Sequence, residues 1–210
     1  MVPFLAQYRR RHPGVEIRLT EDGGFRLPMR LERGDVDLAT IPEADERFDS
    51  RLLFPIYVLA VMAPDHRLRR RAAIDIADVA AEPLLLLTRA FASREWFYSV
   101  CQAARVRPNI TFESAAPQTL ISLAAAGDGI AVVPQAVRVS HEKVHAVPLV
   151  SRGVPIGRWQ TIAWNPQRFR APYEHDFIGE LVTYTRANYP NRDITRGAPP
   201  MPRPEALKHR

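Results

Sequence analysis

The sequence predicts an α/β fold with mainly parallel strands, on three observations. Short apolar runs typical of buried strands alternate along the chain with segments of helical periodicity. Proline or glycine stands at the border of most of these segments. The 210 residues are 46% hydrophobic and 25% charged, which is usual for a globular protein. This composition excludes a chain that is disordered throughout and a fibrous protein.

The N-terminal part of the chain predicts two helices and two strands. The predicted helices cover residues 3–12 and 28–33, and the predicted strands cover 15–20 and 36–41. Phe4, Leu5 and Tyr8 fall on one face of the first helix. Residues 15–20 alternate between apolar and polar, which is the period of a half-buried strand. Gly34 is suited to cap the C-terminus of the second helix.

The alternation of strands and helices continues through the rest of the chain. Strands are predicted over 56–63, 84–87, 109–113, 130–133, 146–150 and 159–164, and helices over 93–104, 117–126 and 173–188. Ser93 is predicted to be an N-cap, since serine is preferred at that position. Pro117 suits the first turn of the next helix. Helices that follow strands in this way are typical of parallel sheets.

Charge and cysteine content exclude several classes of protein. The net charge is +6, but half of that excess lies in residues 190–210, so it does not by itself indicate nucleic-acid binding. Cys101 is the single cysteine and can form neither an internal disulfide nor a thiolate metal site.

No apolar run reaches the roughly 18 residues of a membrane span. With no signal peptide visible before Arg9, we expect a cytoplasmic protein without membrane contact.

The C-terminal residues 190–210 differ in composition from the rest of the chain. They hold five of the 19 prolines, and proline disfavours both helices and sheets. We therefore expect an extended, disordered tail with little packing.

One short motif suggests a different class of protein. His141, Glu142 and His145 match the H-E-x-x-H pattern, in which two histidines one helical turn apart bind zinc and the glutamate activates water. No further histidine or acid follows before Glu174, and Pro148 closely follows His145. A polar surface loop is the preferred interpretation, and a zinc hydrolase is kept as an alternative.

Five segments, taken in order, carry a family resemblance. They are residues 4–17, 31–39, 64–68, 107–108 and 123–134, with sequences FLAQYRRRHPGVEI, LERGDVDLA, PDHRL, RP and LAAAGDGIAVVP. Together they resemble the effector-binding region of LysR-type transcriptional regulators. The resemblance extends over about residues 2–189. None of the five is diagnostic alone, and their order and spacing make the resemblance specific.

The resemblance implies a type II periplasmic-binding-protein-like fold with two α/β lobes and an effector cleft. Lobe I would comprise residues 1–57 and 159–189, and lobe II residues 58–158. Family members begin with a winged helix-turn-helix, a linker helix and a first strand of lobe I, and none of these precedes residue 1 in this sequence. We expect lobe I to lack that strand, because either the true start lies upstream or the chain is a truncated relative.

The resemblance and the chemistry of anion binding together predict the site. Free N–H groups at helix starts favour a carboxylate, and hydroxyl or guanidinium groups nearby would add hydrogen bonds. The predicted effector-binding residues are Thr40, Pro42, Thr88, Arg89, Ser93, Arg94, Ser114, Gln118 and Thr119. The expected effector is a small organic acid or an aromatic carboxylate. No metal, cofactor or catalytic residue is predicted.

The resemblance also implies partners. Residues 4–19 would form a homodimer, or would pair with a full-length paralogue. DNA would be bound only through a winged helix-turn-helix that is not present in these residues. A free-standing solute-binding protein of the same fold is the remaining alternative.

Overall fold

The computed structural model describes residues 1–21, 26–43, 45–140 and 142–204. Its elements, in chain order, are α1 (Val2–Arg11), α2 (Leu27–Arg33), β1 (Ala39–Pro42), β2 (Asp49–Met62), β3 (Ile74–Asp75), α3 (Ile76–Ala80), β4 (Leu84–Leu87), α4 (Ala92–Ala104), β5 (Ile110–Ser114), α5 (Pro117–Ala125), β6 (Ile130–Pro134), β7 (His145–Ser151), β8 (Val154–Pro155), β9 (Gly157–Trp164) and α6 (Pro172–Ala187). None of the described helices is both long enough and apolar enough to cross a membrane.

The chain divides into two compact units. Unit 1 contains Met1–Phe54 and Trp159–Tyr189, and unit 2 contains Pro55–Arg158 and Pro190–Arg203. The first border lies between Phe54 and Pro55, three residues before the predicted border at 57/58. The chain passes from unit 2 back to unit 1 after Arg158, and enters unit 2 again after Tyr189.

Unit 1 has helices on both faces of its strands. β1 pairs with β9 in antiparallel register, with Ala39 opposite Ala163 and Pro42 opposite Gln160. Ile162 packs with Phe4 and Tyr8 of α1 and with the apolar face of α6, whereas its neighbour Ala163 packs with Leu31 of α2. Successive strand residues point to opposite faces, so β9 separates these two layers.

The strand predicted over residues 15–20 does not form. Residues 13–21 contain no strand in the structure, although Val15 and Ile17 do pack against the α1 and α6 core. Alternating polarity determines which side chains are buried, but a strand also needs a neighbouring backbone with which to pair. Val15 and Ile17 are partly buried, whereas Leu19, the third apolar residue of the alternation, is 58% exposed. The prediction was therefore wrong about the strand and right about the inward side only for Val15 and Ile17.

Unit 2 has a mixed sheet. β4 pairs in parallel with both β5 and β6, whereas β2 lies between β6 and β7 and is antiparallel to both. Parallel pairing requires a crossover connection such as α4 or α5. β2 enters unit 2 directly from unit 1 without such a helix, so it is free to run antiparallel. The α/β class is as predicted, and parallel pairing is confined to a part of the sheet.

The core of unit 2 surrounds the central strand β4. All four leucines of β4 are buried, as expected for a strand that has neighbours on both edges and is covered on both faces. Phe97 and Cys101 of α4 pack with Leu84 and Leu86 on one face. α5 contacts the three parallel strands. This packing fixes the starts of α4 and α5 relative to the sheet.

The tail prediction needs correction for residues 190–204. Residues 190–197 form successive turns, and residues 190–203 belong to unit 2. Thr195 and Met201 are buried, and Asn191 donates hydrogen bonds to two backbone carbonyls of the segment that follows β6. Proline disfavours regular secondary structure but permits turns, so its abundance did not exclude packing.

Candidate functional site

The carboxyl ends of β4 and β5 lie side by side in unit 2. Leu87 is in register with Ser114, and the Thr88 amide donates a hydrogen bond to the Ser114 carbonyl at 3.2 Å. α4 begins at Ala92 and α5 at Pro117, so both helices start within a few residues of this edge. In open α/β sheets, ligands bind outside the carboxyl ends of the strands.

Neither of these two helices is capped by a side chain. The N-cap residues are Phe91 in α4 and Ala116 in α5, and neither makes a side-chain cap hydrogen bond. The Ser114 hydroxyl instead accepts a hydrogen bond from the Ala116 amide at 3.0 Å, which holds the turn before α5. First-turn N–H groups without side-chain acceptors, together with the helix dipole, favour an anion.

Ser93 is not the N-cap that the sequence predicted. The Phe91 amide bonds to the Thr88 carbonyl, and the Arg94 amide bonds to the Phe91 carbonyl. The helix therefore begins at Ala92, and Ser93 is buried in its first turn. An N-cap at Ser93 would have placed the first helical residue at Arg94, so the helix begins two residues earlier than predicted.

Arg94 is a buried cation at the start of α4. Its side chain is 2% exposed and forms an ion pair with Glu113 of β5, whose side chain is 47% exposed. The guanidinium carbon lies 4.5 Å from the centre of the Tyr98 ring, within range of a cation–π interaction. Nε and Nη1 are buried without a hydrogen-bond partner among the described residues. Arg94 thus links the first turn of α4 to the end of β5.

The remaining predicted residues of unit 2 lie at the surface of the same edge. Arg89 is exposed, with its guanidinium carbon 6.0 Å from the Tyr98 ring centre. Gln118 donates a hydrogen bond from Nε2 to the Arg138 carbonyl at 3.0 Å. Thr119 is exposed in the first turn of α5. The structure therefore brings together all seven predicted residues of unit 2.

Two predicted residues belong to unit 1. Thr40 and Pro42 lie in β1, opposite Ile162 and Gln160 of β9, and both are partly buried. The end of β1 is held by buried Thr161, whose hydroxyl donates a hydrogen bond to the Ile41 carbonyl at 3.0 Å.

Sequence reasoning missed two polar residues next to the predicted set. Glu113 precedes Ser114 and pairs with Arg94. Gln135 directly follows β6 and is buried. The signal for Gln135 was present, because polar residues that directly follow a parallel strand commonly lie at the binding edge. No local pattern marked Glu113, whose partner lies 19 positions earlier in the sequence.

The zinc-hydrolase alternative requires a helix over the H-E-x-x-H motif, and the described residues of the motif are not helical. His141 lies outside the described residues. Glu142 and Lys143 are in a turn, and His145 is the first residue of strand β7. Two zinc ligands one helical turn apart are therefore not provided by this segment. No group of three or more potential metal ligands occurs elsewhere among the described residues.

We expect the Cys101 thiol to be unreactive in the folded protein. Cys101 is buried in α4, and burial raises the pKa of its thiol to about 11. At pH 8, roughly one thiol in a thousand would be ionised, and the thiolate is the reactive species. Labelling by Ellman's reagent should be at least about a hundredfold slower in native protein than in 6 M guanidinium. Equal rates would contradict the buried environment.

The fold and this edge together define a class of protein. Two α/β units are joined where β2 and β9 cross between them, and uncapped helix starts lie at the carboxyl edge of a parallel strand pair. This is the type II periplasmic-binding-protein-like fold. The model of the LysR substrate binding domain matches residues 1–186, and the chain belongs to that family. The resemblance recognised in the sequence is confirmed.

Individual relatives support the family and the fold. The uncharacterized HTH-type transcriptional regulator YwbI of Bacillus subtilis is 25% identical over 181 residues, which cover 81% of this chain and 59% of YwbI. The chain thus spans about three fifths of the length of the curated relatives that it matches first.

Two solved structures with bound small molecules share the fold. The Synechocystis PCC6803 CcmR regulatory domain in complex with 2-PG matches with a TM-score of 0.74 and 17% identity, covering 88% of this chain and 90% of that one. The effector binding domain of QuiR in complex with shikimate has a TM-score of 0.71 and 16% identity, covering 90% and 92%.

Proposed function

We propose that this chain is the effector-sensing part of a LysR-type transcriptional regulator, and that its effector is a small organic acid or an aromatic carboxylate. The observation that carries the proposal is the pair of uncapped helix starts, α4 and α5, at the carboxyl ends of the neighbouring parallel strands β4 and β5. An anion at this edge would accept hydrogen bonds from first-turn N–H groups without needing a metal.

The side chains around these helix starts suit the same ligand chemistry. Arg89 offers an exposed guanidinium group for a carboxylate, and the hydroxyl groups of Thr88 and Thr119 offer further donors. Buried Arg94 is paired with Glu113 and so contributes by holding the first turn of α4 against β5, not by free positive charge. The relatives solved with 2-PG and with shikimate make this class of ligand reasonable for the fold.

The proposed response to the effector is a change in the arrangement of the two units. Thr40 and Pro42 of unit 1 would contact the ligand in a cleft between the units. A ligand changes a conformational equilibrium only by its difference in affinity for the two states. Contacts to both units would provide this difference, since they can form together in only one arrangement.

The proposed assembly follows the family. The chain would act without catalysis or a cofactor, in the cytoplasm. It would form a homodimer through residues 4–19 or pair with a full-length paralogue. DNA would be contacted through a winged helix-turn-helix outside these 210 residues.

Gln118→Glu tests the site. It places a negative charge in the first turn of α5, where a carboxylate stabilises a helix but repels a bound anion. We expect shikimate, or another hit from a panel of organic acids screened by thermal shift, to bind the variant at least about tenfold more weakly by calorimetry. The variant also loses the hydrogen bond that Gln118 Nε2 donates to the Arg138 carbonyl, so its own thermal stability should be unchanged or slightly lowered.

Gln167→Glu is the matched control. Gln167 is exposed in unit 1, and the substitution makes the same change in net charge away from the edge. Affinity should stay within about twofold of the unmodified chain. Equal weakening by both variants would indicate a general charge effect, and no weakening by Gln118→Glu would exclude the α5 start as the binding site.

A further inference from the structure

Residues 190–203 lie beyond the part of the chain that the family model matches. The family model ends at residue 186, yet residues 190–203 form part of unit 2. The chain thereby enters unit 2 for a second time, directly after Tyr189. We call residues 190–203 the C-terminal strap. It contacts Gln135 and Val137, which follow β6, and it contacts Tyr57 and Gly157. The last two lie in the crossover segments, residues 55–57 of β2 and 157–158 of β9, where these strands enter and leave unit 2.

The first anchor of the strap is Gln135, which is 2% exposed at the end of β6. Its Nε2 donates hydrogen bonds to the carbonyls of Pro190 and Asn191 at 3.1 and 3.2 Å. In return, Asn191 Nδ2 donates to the carbonyls of Gln135 and Val137 at 2.7 and 2.6 Å. Gln135 Oε1 also accepts a hydrogen bond from the Tyr57 amide at 3.2 Å, so this anchor extends to β2.

The second anchor is the Tyr57 hydroxyl. It donates a hydrogen bond to the Pro199 carbonyl at 3.2 Å and accepts one from the Met201 amide at 3.1 Å. Tyr57 is the third residue of unit 2 after the border at Phe54 and Pro55. The strap therefore holds the first crossover segment directly through the Tyr57 side chain, and indirectly through Gln135.

The third anchor lies on the other crossover segment. A Cβ atom built on Gly157 would lie 2.6 Å from Met201 Cε and 2.1 Å from the Ile56 carbonyl oxygen. Only glycine allows so close an approach. Gly157 immediately precedes Arg158, the last residue of unit 2 before the chain returns to unit 1. One buried methionine of the strap thus lies against the segment through which β9 leaves unit 2.

We propose that the C-terminal strap is a conformational restraint that clamps both crossover segments and limits how readily the two units change their arrangement. Hinges are a few residues that absorb a change in backbone angles. Residues 55–57 and 157–158 are the candidates here, and the strap holds them by hydrogen bonds to Tyr57 and packing against Gly157. This inference does not depend on the effector, since it concerns the chain without ligand.

Hydrogen exchange of the full-length chain without ligand tests the restraint. Tyr57→Phe removes the hydroxyl and keeps the ring, and Asn191→Ala removes the donor to Gln135 and Val137. We expect the amides of residues 56–58 to exchange at least about tenfold faster in the double variant. The amides of the central strand β4 should change by less than about twofold. Tyr173→Phe, at an exposed tyrosine of unit 1, is the control and should change neither region.

A distance measurement tests the consequence for the two units. Spin labels at Glu46→Cys in unit 1 and Ala103→Cys in unit 2 occupy exposed positions, and buried Cys101 would stay unlabelled. The distribution of distances between the labels should broaden when the two anchors are removed. Unchanged exchange at 56–58 with an unchanged distribution would overturn the proposal. Equal acceleration in β4 would also overturn it, because the strap would then only support the fold of unit 2.

Discussion

Phe97→Ala is expected to lower the free energy of unfolding by about 3–5 kcal/mol, the usual cost of removing a buried phenylalanine. The Phe97 side chain is 0% exposed and packs among Val58, Leu84, Leu86 and Val132. Alanine would remove the ring and leave a cavity that residues on three strands cannot fill without moving. Because Phe97 is in α4, the loss would also loosen the helix whose first turn belongs to the candidate site. Urea unfolding followed by circular dichroism measures the effect.

Phe169→Ala is the control for that experiment. The Phe169 side chain is 90% exposed, so the same chemical change removes almost no buried area. We expect a change within about 0.5 kcal/mol. If the two variants were equally stable, α4 would not be packed on the sheet as described.

Glu113→Gln is expected to lower stability by about 2–3 kcal/mol, whereas Arg94→Met should cost about 1 kcal/mol or less. The asymmetry follows from burial, since the Arg94 side chain is 2% exposed and that of Glu113 is 47% exposed. Neutralising Glu113 leaves a buried cation without its partner. Removing Arg94 leaves a carboxylate that water can solvate, and it also removes two buried donors that have no hydrogen-bond partner within the described part of the chain. Solvent at Glu113 keeps the larger value below that of a fully buried pair.

The double variant Arg94→Met with Glu113→Gln completes the cycle. It should be more stable than Glu113→Gln alone, because the unpaired cation is then absent. The result expected from urea unfolding is a coupling energy of about 1–2 kcal/mol between the two positions. If Arg94→Met were the more destabilising single substitution, packing of the guanidinium on Tyr98 would outweigh the ion pair.

Local patterns predicted most elements, because the spacing of apolar residues within a segment shows which side chains that segment must bury as a helix or as a strand. Four consecutive leucines predicted a buried strand at 84–87, and β4 occupies those residues. The apolar face of residues 3–12 predicted α1, whose Phe4 and Tyr8 are buried. The pattern failed at 15–20, since side-chain alternation does not show whether a neighbouring strand exists. The short elements β3, α3 and β8 had too few residues to produce a period.

For the candidate site, the sequence predicted which residues lie at one edge of unit 2, and their role in binding stays a prediction. The rule that polar residues after parallel strands collect at one edge placed Thr88, Arg89 and Ser114 together. It could not show that Arg94 is buried, because burial there depends on Tyr98 of α4 and on Glu113, which lies on strand β5. Nor could it show that Gln135 is occupied by hydrogen bonds to the strap, whose residues lie 55 or more positions away in the sequence.

The sequence by itself determined the α/β class, the family, the order of the main helices and strands, and the edge at which polar groups collect. These follow from periodicity, turn residues and ordered motifs, all of which are local. Only the tertiary structure decided that the sheet of unit 2 is mixed, that Arg94 pairs with Glu113, and that residues 190–203 pack on the crossover segments. Each of these depends on contacts between residues distant in the chain or on where a neighbouring backbone lies, and a local pattern contains no information about either.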